Sequence, residues 1–408
     1  MEFKNLTPFS VMHYKMLDTE DEEYHVVAMK IVYQLQPVGN GPYYQAVLTE
    51  PFGELTLQDE FSGELNLSSV RLESDLAPLK PKCDVIVNGV AYAPAGIPAE
   101  RVPVRLLVTT ADRQPLIDKT LLVWGEREFQ RSLEGEWQLT PPQKFTELPI
   151  DYRYAFGGQC KIYENDEAAA AVADGFRLSD EQRAQHPEKE APPIAHATFE
   201  YNPIGTGFVT PWYVEAKKLS RYPAPRLEHF DAPVTGKHMD QCAWQPAAMT
   251  DLGCLPAGFG MIGRPWLPRR TKAGTYDNTW LKERHPYLPD DFDFSYWNNA
   301  PEDQQIDHPD NNIRISLFHL TREGTLRVQL PGHRPFMLLR MLNGEMLPDL
   351  MYPDTLIIDS EALTLSMTYR YHAEIDDNIR VMEARFEMDP AAPLVRVDLG
   401  DGREVHYG

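Results

Sequence analysis

Short runs in which apolar and polar residues alternate dominate the first 125 residues of the chain. The run at 24–35 is rich in valine, isoleucine and tyrosine, which favour extended backbone. Similar runs follow at 43–48, 84–90, 102–109 and 117–125. Proline, glycine and asparagine separate these runs, and no long segments with helical periodicity lie between them. This spacing indicates strands that pair in antiparallel fashion. The pattern predicts a mainly β protein built from antiparallel sandwich-like or barrel-like units.

Residues 161–197 predict a short helical excursion from this β-rich body. Asn165 can cap a helix through the alanine-rich run 168–173, with Gly175 at its end. Ser179 and Gln182 resemble a capping box that begins a second helix, which His186-Pro187 would end.

From 201 to 305 the chain is dense in glycine, proline, tryptophan and asparagine, with few regular apolar periods. A stretch of this length is ordered only if side-chain contacts hold it. Its aromatic content indicates that side-chain contacts do hold this stretch in place, and we expect a loop-rich, aromatic-rich centre. The aromatic residues are Trp212, Tyr213, Trp244, Trp266, Tyr276, Trp280, Phe292, Phe294, Tyr296 and Trp297.

Alternation returns in the last hundred residues. Hairpins are predicted at 313–330, around Asn343-Gly344 and around Gly400-Asp401-Gly402, with a clear alternating strand at 363–371. The chain thus divides into three predicted domains: 1–155, an N-terminal β-rich domain; 156–305, the irregular central region with the excursion at 161–197; and 306–408, a C-terminal β-rich domain.

Charge and composition narrow the range of partners. The 39 basic and 61 acidic residues give a net charge of −22, so neither nucleic acid nor a membrane surface is an expected partner, because both need a basic footprint. Part of the acidic excess lies at 18–23, which is either a solvated surface or a face that receives a basic partner. Proline accounts for 35 of 408 residues, above the average of about 5%, and favours loops and edge strands.

The N-terminal sequence MEFKNLTPFS lacks the apolar run of a signal peptide, and no stretch approaches the about 20 apolar residues of a membrane span. The four cysteines are scattered without a CxxC pair, which is typical of ordinary thiols in a reducing compartment. We therefore expect a cytoplasmic protein.

The densest carboxylate cluster is formed by Asp290, Asp291 and Asp293. It could supply oxygen ligands for a hard cation or an acid/base pair, but it lacks the spacing, central glycine and closing glutamate of an EF-hand loop. A glycosidase carboxylate pair cannot be identified from sequence spacing. We expect these side chains to cap turns and to pair with nearby arginines.

A basic patch precedes this cluster in an otherwise acidic chain. Guanidinium groups match carboxylates in a two-pronged geometry, so the simplest arrangement is intramolecular and fixes the loop-rich centre. An anion-binding pocket is the alternative. The intramolecular arrangement predicts that Arg264, Arg269 and Arg270 bind Asp277, Asp290, Asp291 or Asp293.

Other residue patterns give no indication of catalysis. The glycine-rich pieces at 156–158, 204–208 and 256–260 lack the following lysine of a phosphate loop and are better explained by backbone turns. The histidines show no HxxxH or HExxH spacing, and no Gly-x-Ser-x-Gly elbow is present. We predict that the protein is not an enzyme and has no cofactor and no metal.

An ordered set of short motifs resembles the bacterial domain-of-unknown-function family numbered 2169. One motif alone would be weak, but their order and spacing along the chain are specific. The excursion at 161–197 is longer than usual for the family, and the sequence at 209–212 departs from its pattern. The motifs are SDLAP (74–78), KP (80–81), DVIVNG (84–89), AP (93–94), VWGER (123–127), YAFGG (154–158), YNPIG (201–205), GF (207–208), PAGFG (256–260), Trp266, PR (268–269), GTYD (274–277), Trp280, LPDDFD (288–293), NAP (299–301) and DQ (303–304).

The resemblance implies an adaptor or chaperone that binds a type VI secretion effector, a toxin with a PAAR-like tip domain, and helps to load it on the secretion spike. Its partners would be the cognate effector and the spike protein. No catalytic residue follows from the family. The same composition would suit a carbohydrate-binding module with stacking aromatics, or a hydrolase with dispersed carboxylates.

The stretch 274–304 therefore predicts a structural knot rather than an active site. We expect Arg269, Asp277 and Trp280 to hold the loop-rich centre together. The wider set of candidates for this structural motif is Arg264, Trp266, Arg269, Asp277, Trp280, Asp290, Asp291 and Asp293.

Overall fold

β-Strands account for most of the regular structure in the computed structural model of the chain. The structure describes residues 1–65, 67–166, 177–240, 253–310, 312–398 and 404–407. Its strands, in chain order, are β1 (Glu2–Asn5), β2 (Ser10–Leu17), β3 (Glu23–Pro37), β4 (Tyr43–Leu48), β5 (Glu60–Phe61), β6 (Val70–Leu72), β7 (Cys83–Asn88), β8 (Val90–Tyr92), β9 (Arg101–Thr109), β10 (Pro115–Trp124), β11 (Glu128–Arg131), β12 (Trp137–Leu139), β13 (Glu147–Pro149), β14 (Phe156–Gly157), β15 (Gln159–Ile162), β16 (Ala195–Thr198), β17 (Thr206–Gly207), β18 (Arg221–Pro223), β19 (Leu227–His229), β20 (Gln305–Ile306), β21 (Arg314–Phe318), β22 (Thr325–Gln329), β23 (Arg334–Met341), β24 (Met346–Leu350), β25 (Tyr352–Asp359), β26 (Thr364–Glu374), β27 (Ile379–Glu387), β28 (Val395–Asp398) and β29 (Glu404–Tyr407).

The helices are short, as the density of proline predicts. The α-helices of the described residues are α1 (Asp180–Gln185), α2 (Pro211–Ala216), α3 (Gly236–Asp240), α4 (Leu267–Arg270) and α5 (Asn278–Glu283), and the 3-10 turns are Pro94–Gly96, Tyr152–Tyr154, Phe294–Trp297 and Glu302–Gln304.

A large curled sheet forms a half-barrel in the order β19-β10-β9-β21-β22-β4-β3-β26-β25-β7-β20, with β2 also paired to β3. The mainly β fold predicted from the alternating runs is therefore confirmed, and of the two predicted alternatives, sandwich-like and barrel-like, the sheet is barrel-like. Most of its ladders are antiparallel, but β7 pairs in parallel with β25 and β22 with β4. Alternation along one strand predicts which face is buried, whereas the direction of its neighbour depends on strands far away in the sequence.

Strands from both ends of the chain alternate within this sheet. β25 and β26 lie between β3 and β7, and β21 and β22 lie between β9 and β4. The segments 1–155 and 306–408 therefore share one sheet, while the three-domain division itself stays a prediction.

A smaller sheet, β1-β27-β23-β24, packs on the same main core. Met337 and Met382 from its strands lie in one buried cluster with Met29, Tyr33 and Phe9. The hairpin predicted at Asn343-Gly344 joins β23 to β24, and Gly344 has a φ of +92°, which favours glycine. The hairpins β21–β22 and β28–β29 are confirmed as well.

The two ends of the half-barrel are joined by side chains. The Lys119 ammonium, on β10 near one end, donates to Gln304 Oε1 at 2.8 Å. Gln304 in turn donates through Nε2 to the carbonyl of Val85, on β7 near the other end, at 2.7 Å and to that of Phe259 at 3.0 Å. Gln304 is fully buried. This one amide links strands that no backbone ladder joins.

The central region contributes most of a second buried core, in which Trp212 is the buried member of the predicted aromatic set and Tyr213 packs against it partly buried. Phe156, Phe199 and Trp212 are buried in it, and Trp137 packs edge-on against Tyr222. The loop-rich, aromatic-rich centre is thus confirmed. The excursion contains α1, whose capping box pairs Ser179 with Gln182 as predicted. The predicted helix at 168–173 and the side chain of Trp244 lie outside the described residues.

Candidate functional site

The aspartates of the 274–293 segment bind local backbone and hydroxyl groups. Asp277 Oδ1 accepts the amides of Thr279 and Trp280 at 2.9 and 2.8 Å and so caps α5. Asp293 Oδ1 accepts the amide of Ser295 at 2.8 Å, and Asp291 binds both the amide and the hydroxyl of Thr275. Asp277 and Asp293 therefore cap turns, as expected, whereas Asp291 joins two parts of the segment.

Asp290 pairs with an arginine, but not with one of the basic patch. Its Oδ1 lies 2.9 Å from the Arg284 Nε, and Asp290 itself is largely exposed. Arg284 also holds Asp21 at 2.7 and 3.0 Å, which anchors the acidic turn of the N-terminal hairpin.

The predicted pairing of the basic patch with these aspartates is wrong. Arg269 binds Glu73, Arg264 binds Glu73 and Asp59, and Arg270 binds Glu200. Among the described residues, none of the three arginines pairs with an aspartate of 274–293. The physical reason is that Asp277, Asp291 and Asp293 are already used by nearby amides and Asp290 by Arg284. The three guanidinium groups therefore pair with carboxylates from other parts of the chain.

Glu73 is the acceptor at the centre of this arrangement. Its two carboxylate oxygens accept from Arg269 Nη1 at 2.6 Å and Nη2 at 3.1 Å, from Arg264 Nε at 3.0 Å and from Asn299 Nδ2 at 3.1 Å. Burial by itself would raise the pKa of Glu73, but the charges and hydrogen bonds of Arg269 and the charge of Arg264 outweigh it and lower the pKa below its ordinary value of 4.5. The carboxylate is therefore held ionised.

Arg269 uses its remaining donors on backbone carbonyls. Nε donates to Tyr296 and Nη1 to Ile262, both at 2.9 Å. Only 3% of Arg269 is exposed. It thus fixes two loops of the irregular centre, around Ile262 and Tyr296, to the N-terminal strand region, as its place among the structural candidates implies.

A second buried pair lies at the start of β7. Asp84 is 0% exposed and accepts from the Lys80 ammonium at 2.9 Å, the Asn298 Nδ2 at 3.2 Å and the amides of Asn299 and Ala300 at 3.1 Å each. It holds the NAP motif against the sheet.

A third group of buried ion pairs lies next to it, on β3, β25 and β26. The Lys30 ammonium donates to Asp75 Oδ2 at 2.9 Å, and the Thr368 hydroxyl donates to Asp75 Oδ1 at 2.9 Å. Arg370 pairs through Nε with Asp354. Burial by itself would lower the pKa of Arg370, but the charges of Asp354, Tyr14 and Asp75 and the hydrogen bond to Asp354 together raise it.

Thr355 joins the second group to the third. Its hydroxyl accepts from Lys80 at 2.8 Å and donates to Asp354 at 2.8 Å. Segment 73–84 passes through all three groups, and we call them together the buried polar network. Its charged members are Lys30, Glu73, Asp75, Lys80, Asp84, Arg269, Asp354 and Arg370.

The arrangement of the network is typical of charged groups that fix the fold rather than of groups that react. Each carboxylate has a cationic partner, and the groups are removed from solvent. Burial also raises the pKa of the neighbouring Cys83 thiol well above its ordinary value, which keeps the sulfur protonated and weakly nucleophilic. The described residues contain no group of three or more His, Cys, Asp or Glu side chains that could hold a metal ion.

The VWGER motif contributes a separate buried pair. Arg127 bonds to Glu228 and to the carbonyl of Pro225, and its guanidinium lies 4.3 Å from the centre of the Trp124 ring. Desolvation is the main cause of two opposite shifts, since it raises the pKa of Glu228 and lowers that of Arg127. The motif thus locks β10 to the loop before β19.

The glycine-rich motifs meet around Asn202. The Asn202 amide donates to the carbonyls of Tyr152 at 2.8 Å and Phe156 at 3.1 Å. A Cβ on Gly157 would lie 2.2 Å from the Asn202 carbonyl, and one on Gly205 would lie 2.4 Å from its side chain. Close backbone approach explains these glycines.

The two tryptophans among the structural candidates differ in burial. Trp266 is buried and meets Tyr152 edge-on at 5.4 Å. Trp280 is half-buried, and its Nε1 donates to the carbonyl of Tyr287 at 3.0 Å. Trp266 therefore belongs to the main core, whereas Trp280 closes a surface turn.

The residues that sequence reasoning missed are Glu73, the main partner of the basic patch, and Asp75, Lys80 and Asp84 of the other two buried groups. A usable signal was present, because five charged residues at 73–84, Lys82 among them, lie before or at the start of the strongly apolar β7. Charges so close to a buried strand are mostly paired. Arg370 gave a similar signal within the alternating strand β26.

An open groove of about 700 Å³ lies beside the N-terminal hairpin. Five carboxylates line it, and its other walls include apolar side chains. We call it the acidic groove; its lining comprises Asp18, Glu20, Glu22, Glu23 and Glu374 together with Tyr24, Leu79, Phe294, His372, Ala373 and Ile375. Among the described residues, no cation pairs with Glu20, Glu22 or Glu374, so its negative charge faces solvent. Nothing in the sequence joins residue 374 to the run at 18–23; the pairing of β26 with β3 does.

In the part of the chain that the structure describes, each helix is too short or too polar to cross a bilayer. A family model with the description "Uncharacterized protein conserved in bacteria (DUF2169)" matches residues 20–370. Neither a curated protein nor a solved structure matches the chain.

Proposed function

Because this chain belongs to the DUF2169 family of uncharacterized proteins conserved in bacteria, we propose that it is an adaptor that binds a type VI secretion effector with a PAAR-like tip domain. In this role it would hold the effector in the cytoplasm and help to load it on the secretion spike. It would act by binding alone, without catalysis and without a cofactor.

The observation that carries the proposal is a contrast between two sets of charged residues. Those of the family motifs are paired within the protein, whereas carboxylates of the acidic groove face solvent without a cationic partner among the described residues. The motif residues Asp75, Lys80, Asp84 and Arg269 are consumed in internal pairs, which supports a rigid scaffold. The acidic groove combines unpaired carboxylates with apolar walls, a combination that suits a partner segment with basic and apolar residues. Electrostatic attraction of this kind speeds association and selects partners.

The experiment is co-purification of the protein with the effector encoded beside it. We expect the adaptor to keep in solution a toxin that is otherwise insoluble. A triple variant of the acidic groove, Glu20→Gln, Glu22→Gln and Glu374→Gln, should retain the wild-type melting temperature and recover less effector. The matched control is Glu134→Gln, Glu136→Gln and Glu190→Gln, three exposed glutamates outside the groove, and it should recover as much effector as wild type.

The adaptor proposal fails if the effector accumulates and is secreted normally in cells that lack this protein. Binding on a glycan array that is lost in Trp280→Ala would instead favour the carbohydrate-binding module. The described tryptophans are all buried or half-buried, which leaves no fully exposed indole among them for stacking on a sugar. Hydrolytic activity lost in Asp290→Asn or Asp293→Asn, with the fold intact, would favour the hydrolase.

A further inference from the structure

The outward face of the half-barrel carries a group of arginines that the buried polar network and the acidic groove do not involve. Strands β9, β21, β22 and β4 turn one set of side chains into the main core, among them Leu106, Leu317 and Val328. The alternate positions point outward and line a shallow hollow of about 840 Å³. We call this hollow the arginine face; its lining includes Arg105, Arg113, Arg314 and Arg327, together with Tyr43 and Phe318.

The charge of this face is opposite to that of the whole molecule. Its lining holds four arginines and one acidic residue, Asp118, in a chain of net charge −22. Asp118 is used by Arg105, with N–O distances of 2.6 and 2.7 Å. Among the described residues, no carboxylate pairs with Arg113, Arg314 or Arg327.

Aromatic rings support the guanidinium groups in the hollow. Arg327 lies 5.9 Å from the ring centres of both Tyr43 and Phe318, and Arg105 lies 5.6 Å from that of Phe318. Such stacking holds a guanidinium in place while its N–H groups stay free to donate. Tyr43 is 56% exposed, so it offers a flat apolar surface beside the charge.

The spacing of the arginines follows from the strand register. Arg314 faces Gln329 on β22, and Arg327 faces Ser316 on β21, so the two arginines occupy diagonal positions on neighbouring strands. Diagonal neighbours in a sheet are separated by about 7–8 Å. Alternate side chains of an extended peptide repeat at about 6.7 Å. This spacing is close enough to that of the two arginines for their flexible side chains to reach two alternate side chains of such a peptide.

We propose that the arginine face binds an extended, acidic segment of a partner polypeptide, whose alternate carboxylates pair with Arg314 and Arg327. Guanidinium forks match carboxylates, and the intervening side chains of the segment would rest on Tyr43 and Phe318. A short segment fits better than a long polyanion, because the surrounding negative charge of this protein repels nucleic acid. The face does not depend on the type VI role proposed above, since it requires only an acidic segment.

The test uses the full chain and a fluorescent peptide of alternating aspartate and threonine. Fluorescence anisotropy at low salt should show binding that weakens as salt is added. The double variant Arg314→Gln and Arg327→Gln should bind about tenfold more weakly, the effect of losing two exposed ion pairs. Arg380→Gln, which removes an exposed arginine on β27 away from the face, should bind as wild type, and all three proteins should melt together.

Four results would overturn the proposal. The double variant could bind the peptide as tightly as wild type. A peptide of the same composition with its aspartates in one block could bind equally well, or single-stranded DNA could bind more tightly than either peptide. Light scattering could reveal self-association that the double variant abolishes, which would make the acidic turn at 18–23 of a second copy the occupant.

Discussion

The buried polar network and the surface segment 274–293 contain the same types of residue, carboxylates and arginines, yet they are built in opposite ways. In the network, partners lie far apart in sequence: Glu73 and Arg269 are 196 residues apart. In the surface segment, Asp277 and Asp293 accept amides from residues two or three positions onward. A cluster of charged residues in a sequence therefore indicates side chains that cap local turns at least as often as it indicates a functional or structural centre.

The two regions should also differ in their contribution to stability. Removing one partner of a buried pair leaves an uncompensated charge in a medium that solvates it poorly, whereas an exposed cap or ion pair is easily replaced by water. Four substitutions or conditions test this comparison.

The largest effect is expected from Arg269→Met. It leaves the Glu73 carboxylate buried with only Arg264 and Asn299 as direct partners, and it frees the carbonyls of Ile262 and Tyr296. We expect the free energy of unfolding, measured by urea titration, to fall by about 3–5 kcal/mol. Adding Glu73→Gln to this variant should restore part of the loss, because the stranded charge is removed. A double variant that is no more stable than the single one would contradict this account.

The second effect is a dependence on pH. The pKa of Glu73 is lowered by its arginines against the opposing effect of burial, so its stabilising contribution is complete above its ordinary value of 4.5 and is lost as the pH falls through the lowered folded-state pKa. The stability gap between wild type and Glu73→Gln should therefore be constant from pH 7 to 5 and narrow at lower pH. Urea titrations at several pH values measure it, and a gap that widens in acid would exclude the mechanism.

A smaller effect is expected from Asp277→Ala. The substitution removes two hydrogen bonds at the start of α5, a six-residue helix on the surface. Loss of such a cap costs about 1 kcal/mol, less than the loss of Arg269. A thermal melt that is unchanged in this variant would remove Asp277 from the residues that hold the centre together, and Asp277→Asn, which can still cap, is the matched control.

The smallest effect is expected from Asp290→Asn. Asp290 is 81% exposed in its side chain, and its partner Arg284 keeps the two-pronged pair with Asp21. The melting temperature should equal that of wild type within error. A clear destabilisation would show that the surface segment carries more of the fold than its contacts indicate.

Local patterns predicted the elements of this fold well. Alternation located β3, β4 and β9 to within about two residues, and the Ser179–Gln182 capping box located α1. These signals are carried by residues a few positions apart, and the forces behind them act within one strand or one helical turn. The irregular centre could likewise be predicted as ordered, because so many aromatic side chains require burial.

Partners across the sheet could not be predicted in this way. Arg269 has no local carboxylate of suitable geometry, and nothing near it in sequence indicates Glu73. The acidic groove needs Glu374 beside the run at 18–23, and the arginine face needs β9 beside β21. Each site exists only once the strand order is fixed, and strand order depends on contacts summed over the whole chain.

The interleaved strand order has a consequence for folding during synthesis on the ribosome. β3 and β7 complete their pairing only after β25 and β26 have been synthesised, because those two strands lie between them in the sheet and end at residue 374 of 408. Long-range pairing of this kind makes folding slow and leaves strand edges open in the meantime. A nascent chain that stops before β25 would expose the apolar edges of β3 and β7, and we expect it to be cleared by proteases.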